Sequence, residues 1–224
     1  MLDTITTTKE QEFLEHIKDN EFPCVGAKSA LVRDGLTIRV YQSIERTTND
    51  VDLHRDLIAF FDQLDVNSPV VKSFVAIFPD NPVLSEEDFE IALWDRLQAL
   101  HNLDVTAGAH WAKNVSTDPQ SSHFSMSVAG RAFFVIGLHP RASRPGRRFA
   151  YPTLVFNSHD QFESLRGDGR FDKLKFIIRK RDAALAGSIN PMLSDHGFGS
   201  AAAQYSGRIV DEQWRCPLEH KEAE

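Results

Sequence analysis

Cysteine is scarce: the 224 residues hold only Cys24 and Cys216. No CxxC pair exists, which removes zinc-ribbon and dithiol redox motifs. Two thiols so far apart in sequence do not suggest a disulfide framework either. A Walker loop, a GxGxxG turn, an HExxH helix and a GxSxG elbow are all missing, so standard nucleotide, zinc-protease and serine-hydrolase readings have no support. No apolar run approaches the roughly 20 residues of a membrane span, and MLDTITTTKEQEF lacks the basic and apolar regions of a signal peptide. Those absences point to a cytoplasmic protein. Positive charge is also in deficit, with 25 Lys and Arg against 32 Asp and Glu and a net charge of −7. A nucleic acid or an anionic membrane needs a basic face, so neither is an expected partner. No repeat or low-complexity linker divides the chain. With 42% hydrophobic residues it is expected to bury one core, as a single domain over 1–224.

Against that acidic background stands one basic stretch, His139 to Arg148, reading HPRASRPGRR. Arg141, Arg144, Arg147 and Arg148 crowd together between the apolar runs FFVIGL and PTLVF. Their mutual repulsion calls for an anion: carboxylates of the same chain, a bound carboxylate or phosphate, or the propionates of a heme.

Apolar periodicity outlines the elements. Thr8–Asp19 carries Phe13, Leu14 and Ile17 at helical spacing. A strand over Lys28–Arg33 and another over Leu36–Ser43 are predicted to flank an Asp34-Gly35 hairpin turn. A helix is predicted over Val51–Leu64, then a strand at SFVAIFP. Ser85 caps a long helix whose first turn holds Glu86, Glu87 and Asp88. A hairpin turning at Ala129-Gly130 leads into an apolar, central strand and the arginine loop. Beyond it come a strand at PTLVFN, a helix beginning at HDQFESLR, and a helix over Phe171–Ala186 with Leu174, Phe176, Ile177 and Ile178 near the core, closed by Gly187. The remainder reads as an ordered loop with a frayed tail at 218–224. The order predicts an α+β fold with a largely antiparallel sheet of about six strands flanked by helices.

Several residues could carry chemistry. Cys24 follows Pro23, which fixes the direction of approach; it reads either as a small buried hydrophobe or as a thiolate ligand to iron. Cys216 has a similar Cys-Pro context nearer the terminus. His139 ends a buried strand and suits either an iron ligand or a structural hydrogen bond. Arg141, Arg144 and Arg147 could clamp propionates or an amino acid's carboxylate, or pair on the surface with Asp and Glu. Asn190, Asp195, His196, Tyr205 and Arg208 lie among glycines that let backbone approach a ligand.

The blocks FPCVGAKSA, GLHPRASRPGRRFAYPTLVFNSHDQFESLR, NPML and QYSGRIVDEQWRCPL agree in order and spacing with the YqcI/YcgG family, and the chain resembles it from about Phe22 to Pro217. The resemblance implies a heme-dependent N-oxygenase that hydroxylates, or oxidises further, a side-chain amine or guanidine nitrogen of a lysine- or arginine-like amino acid or of a small guanidine. Such chemistry belongs to natural-product biosynthesis. The implied cofactor is heme b, with O2 or peroxide as co-substrate. Cys24 or His139 is the implied axial ligand and Arg141, Arg144 and Arg147 the clamp for propionates or substrate. His159 or Asp195 would accept the substrate's proton, and Asn190, Tyr205 and Arg208 would contact substrate. The electron donor stays open, and a homodimer is an admissible assembly. Two other readings stand beside this one: a heme-binding or heme-sensing protein without turnover, and a cofactor-free domain that binds small anions.

Overall fold

The computed structural model describes residues 2–167, 169–192 and 199–223, with side chains from Thr8 onward. Cys24 is the first point at which local chemistry departs from the sequence expectation. Its Sγ accepts from the Ala27 amide at 3.4 Å and so caps a helix, Val25–Val32, preceded by the N-terminal helix Leu2–Lys18. These are α2 and α1. The predicted strand over Lys28–Arg33 is therefore helical. The Asp34-Gly35 signal is genuine but serves another end. Asp34 adopts φ 53, and the Gly35 amide bonds back to the Ala30 carbonyl at 2.8 Å. A left-handed residue terminates a helix as readily as it turns a hairpin.

With that strand gone, the sheet among the described residues has five strands rather than about six. They are β1 (Leu36–Val40), β2 (Ser73–Ile77), β3 (Met126–Val128), β4 (Arg131–Leu138) and β5 (Thr153–Ser158), in the spatial order β1-β2-β5-β4-β3. β1 and β2 pair in parallel and the other pairs are antiparallel, so the sheet is mixed. A parallel pair requires a crossover. Helix α3 (Asp50–Asp62) supplies it. The Ala129-Gly130 hairpin forms as predicted, with φ of 49 and 71 at its two turn residues.

The long helix α4 (Glu86–Thr106) starts where Ser85 accepts from the Asp88 amide, with three acids in its first turn. Its apolar stripe, Phe89, Leu93, Trp94 and Leu97, packs with Leu53, Leu57 and Phe61 of α3 against Phe74, Phe133, Val135 and Phe156 on one face of the sheet. The opposite face presents Ile38, Val75, Ile77 and Leu138 to Phe13 and Ile17 of α1. Helices α5 (His159–Gly167) and α6 (Arg170–Ala186) complete that second layer. No described residue of α6 is buried, and Phe176 is 68% exposed, so the expected core role of Phe176 and Ile177 does not hold. Residues 218–221, part of the tail expected to fray, lie along α4. Leu218 is buried, Gln98 and Glu219 exchange two hydrogen bonds, and the Lys221 amide donates to His101 Nε2 at 2.8 Å. Among the described residues, no helix is long and apolar enough to cross a membrane.

Candidate functional site: a cavity between the sheet and its helical cover

Between the second face of the sheet and helices α1, α2, α5 and α6 lies a cavity of about 660 Å³. Its walls are largely apolar, formed by Phe13, Ile17, Phe22, Val75, Phe134, Ile136, Leu138 and Val155. That volume suits a drug-sized organic ligand or cofactor. Cys24, Arg144, Arg147, His159 and Asn190 all line it, so the fold gathers five sequence-predicted site residues that lie up to 166 positions apart.

The arginine loop reaches the cavity through its shape. Residues 145–147 form a single tight turn after β4, and the loop packs so closely on Pro23 and Asp182 that a Cβ at position 146 would come within 2.8 Å and 3.0 Å of them. Arg144 donates to Asp182 Oδ2 at 2.5 Å and to the Ser188 carbonyl at 3.0 Å, while its Nε is buried without a partner. Arg147 donates to the carbonyls of Gly137, Gln204 and Tyr205 at 3.1, 3.1 and 3.4 Å. Burial lowers its pKa to about 10, partly opposed by the Asp182 charge. A cation bonded only to neutral carbonyls retains affinity for an anion. Burial raises the pKa of the Cys24 thiol. The amides of Ala27 and Gly26 and the charge of Arg147 act the other way.

The remaining predicted residues fall elsewhere. His139 is 1% exposed and stacks on Phe89 of α4, with ring centroids 4.4 Å apart. It therefore belongs to the helix-covered face and not to the cavity. Burial lowers its pKa to about 4, and Nδ1 has no partner. Arg141 is exposed outside the cavity, and Arg148 folds back onto the carbonyls of Ala142 and Ser143. Tyr205 is wholly buried: its hydroxyl donates to the Phe133 carbonyl and accepts from the Met126 amide, tying residues 201–206 to the sheet. Arg208 forms a fork with Glu90 of α4, which also accepts from Ser206 at 3.0 Å. Neither Tyr205 nor Arg208 is among the residues that line the cavity; both bond within the fold. Asp195 and His196 lie outside the described residues. Cys216 is half-buried, and burial raises its thiol pKa to about 12.

Ser125, Glu163, Arg166 and Asp182 also line the cavity but were missed in the sequence. Glu163 stands four residues after His159, a spacing that a helix turns into contact. Ser125 and Asp182 reach the site only through tertiary packing, and no local signal marks them. Among the described residues, no group of three or more His, Cys, Asp or Glu side chains could hold a metal ion by itself.

Fold and cavity together define an α+β protein with a largely apolar cavity beside a thiol and two guanidinium groups. The chain belongs to the YqcI/YcgG family, whose profile matches residues 13–219. It is similar to the Uncharacterized protein YqcI of Bacillus subtilis (strain 168), with 26% identity over 170 residues. That match covers 73% of this chain and 65% of the relative's length. No solved structure gives a significant match.

Proposed function

We propose that the cavity holds heme b and that the protein is a heme-dependent N-oxygenase acting on a side-chain amine or guanidine nitrogen. One observation carries the reading. The apolar cavity presents a cysteine thiol capped by the first turn of α2, with the buried cation of Arg144 and the half-buried cation of Arg147 alongside. The donor set fits the group. Backbone amides at a helix N-terminus favour a thiolate, and a bound iron would take the place of the thiol proton that burial otherwise retains. Arg144 and Arg147 suit propionates, since Arg147 has only carbonyls as acceptors. Bound heme, with O2 or peroxide as co-substrate, would supply the oxygen activation and N–O bond formation, to which a thiolate ligand adds electron density.

The chain's own residues bind, orient and exclude water. Phe13, Ile17 and Phe22 close the cavity from the α1 side and keep it dry. His159 lines the wall as the proton acceptor, because a protonated nitrogen has no lone pair with which to react. In this reading Cys24 would hold the heme iron, while His139 packs under α4 on the far face of the sheet. Titrating the protein with heme tests it by absorbance. One equivalent should bind with a Soret band that shifts or disappears in Cys24→Ala and persists in His139→Phe. Product analysis with L-lysine and L-arginine then separates an enzyme from a sensor. Failure to bind heme stoichiometrically would overturn the reading and favour a domain that binds organic anions at Arg147.

A further inference from the structure

Two sets stand out among the polar groups that line the cavity, which also include Asn157, Lys175 and Arg179. Cys24, Arg144, Arg147 and Asp182 make one, already discussed. The other is built where β5 runs into α5. His159, the first residue of α5, places Nδ1 at 3.2 Å from Ser125 Oγ and Nε2 at 3.6 Å from Glu163 Oε1. Ser125 is 4% exposed, in the segment leading into β3. Glu163 is in turn bridged by Arg166, whose guanidinium lies 4.6 Å from the centre of the Phe171 ring. Ser125, His159, Glu163 and Arg166 all face the cavity.

A hydroxyl at one ring nitrogen and a carboxylate beside the other is the arrangement that moves a proton through an imidazole. We infer that Ser125, His159 and Glu163 form a proton relay whose cavity end is the Ser125 hydroxyl, and that it takes a proton from a cationic amine or guanidinium nitrogen bound in the cavity. The inference rests on the N-oxygenase reading for its substrate class and on the geometry alone for the relay. The step balances without a further reactant. The substrate N–H⁺ proton passes to Ser125 Oγ as the Ser125 hydroxyl proton passes to His159 Nδ1. The nitrogen is left neutral with its lone pair, and the imidazolium so formed faces the Glu163 carboxylate. Glu163 is a positioning residue: it favours the tautomer with hydrogen on Nε2, in which Nδ1 accepts from Ser125. Arg166, stacked on Phe171, holds Glu163 in place.

Two measurements test this, one of which needs no heme. In the ¹⁵N-labelled protein, long-range ¹H–¹⁵N spectra, assigned with His159→Gln, should show His159 as the Nε2–H tautomer and a mixture of tautomers in Glu163→Gln. An Nδ1–H tautomer in the wild-type protein would mean that the ring donates to Ser125, and the relay would be refuted. In the heme-loaded protein supplied with L-lysine and L-arginine, Ser125→Ala should lower kcat at neutral pH by about 10- to 100-fold with little change in KM. That deficit should shrink as the pH approaches the amine's own pKa, about 10 for lysine, where solvent already provides neutral nitrogen. A deficit independent of pH would mark a structural role and refute the relay. If no heme binds, the oxygenase reading falls, while the tautomer still decides whether the relay exists.

Discussion

Replacing His139 by phenylalanine separates the two roles that a histidine in that position can play. The ring is 1% exposed, stacked on Phe89 and held neutral by burial, with a pKa of about 4 against an ordinary 6.5. Glu86 favours its charged form and Arg147 opposes it, but burial outweighs both. In the unfolded chain the imidazole takes up a proton below its ordinary pKa, while in the folded protein it does not. Stability is therefore lost as pH falls from about 6.5, and the loss levels off only below the folded pKa. The full linkage is about 3 kcal/mol, of which about 2 kcal/mol has accrued by pH 5. Phenylalanine preserves the stack and cannot titrate. Urea unfolding of both proteins at about pH 7 and pH 5 should show the wild type losing about 2 kcal/mol more than the variant over that interval. His16 and His101, also lowered by burial, contribute equally to both proteins and cancel in the comparison. Equal pH dependence in the two proteins would refute the buried, neutral His139. Loss of heme binding in the variant would refute its place outside the cavity.

Two further outcomes follow from close packing and from the docked C-terminus. Gly137→Ala should destabilise the protein by about 1–3 kcal/mol in urea unfolding, because an added Cβ would meet Phe89 at 2.7 Å and the Tyr205 carbonyl at 2.9 Å; a neutral substitution would show that the contact between residues 201–206 and β4 is loose. His101 must be neutral to accept from the Lys221 amide, and burial, aided by His220 stacked 5.2 Å away, lowers its pKa. Because the folded pKa is the lower one, acid opposes docking: carboxypeptidase removal of residues beyond Leu218 should accelerate below about pH 6, whereas a rate unchanged with pH would show that the histidine does not hold the tail.

Legibility followed the number of independent signals at each element. Helix α4 and the β3–β4 hairpin each combine a boundary signal with a matching period: Ser85 and three acids before an apolar stripe, and Ala129-Gly130 between apolar strands. Helix α2 had only eight residues and a terminal Asp34-Gly35 that serves two kinds of turn, so its alanines, good helix formers, were outweighed by the hairpin signal. In α6 the consecutive Phe176, Ile177 and Ile178 resembled a core stripe. A helix turns such neighbours to different sides, and of the three only Ile178 lines the cavity. The basic loop was legible as a feature in need of partners. Which partners it finds was not, because Asp182 and the carbonyls of Gly137, Gln204 and Tyr205 arrive from distant parts of the chain.

The choice between Cys24 and His139 turned on strand parity. Along β4 and just beyond it, Phe133, Val135, Gly137 and His139 point toward α4, whereas Phe134, Ile136 and Leu138 point toward the cavity. A strand with one wet face declares its parity through alternating polarity, but RAFFVIGL is apolar at every position after Arg131, since helices cover one side and the cavity the other. The parity of residue 139 was thus encoded without contrast. Cys24 depended on no such parity. It enters the cavity because α2 begins there, and the cap that starts that helix is the thiol itself. One sulfur thereby meets a local folding requirement and faces the cavity, so that in the heme reading proposed above Cys24, and not His139, would hold the iron.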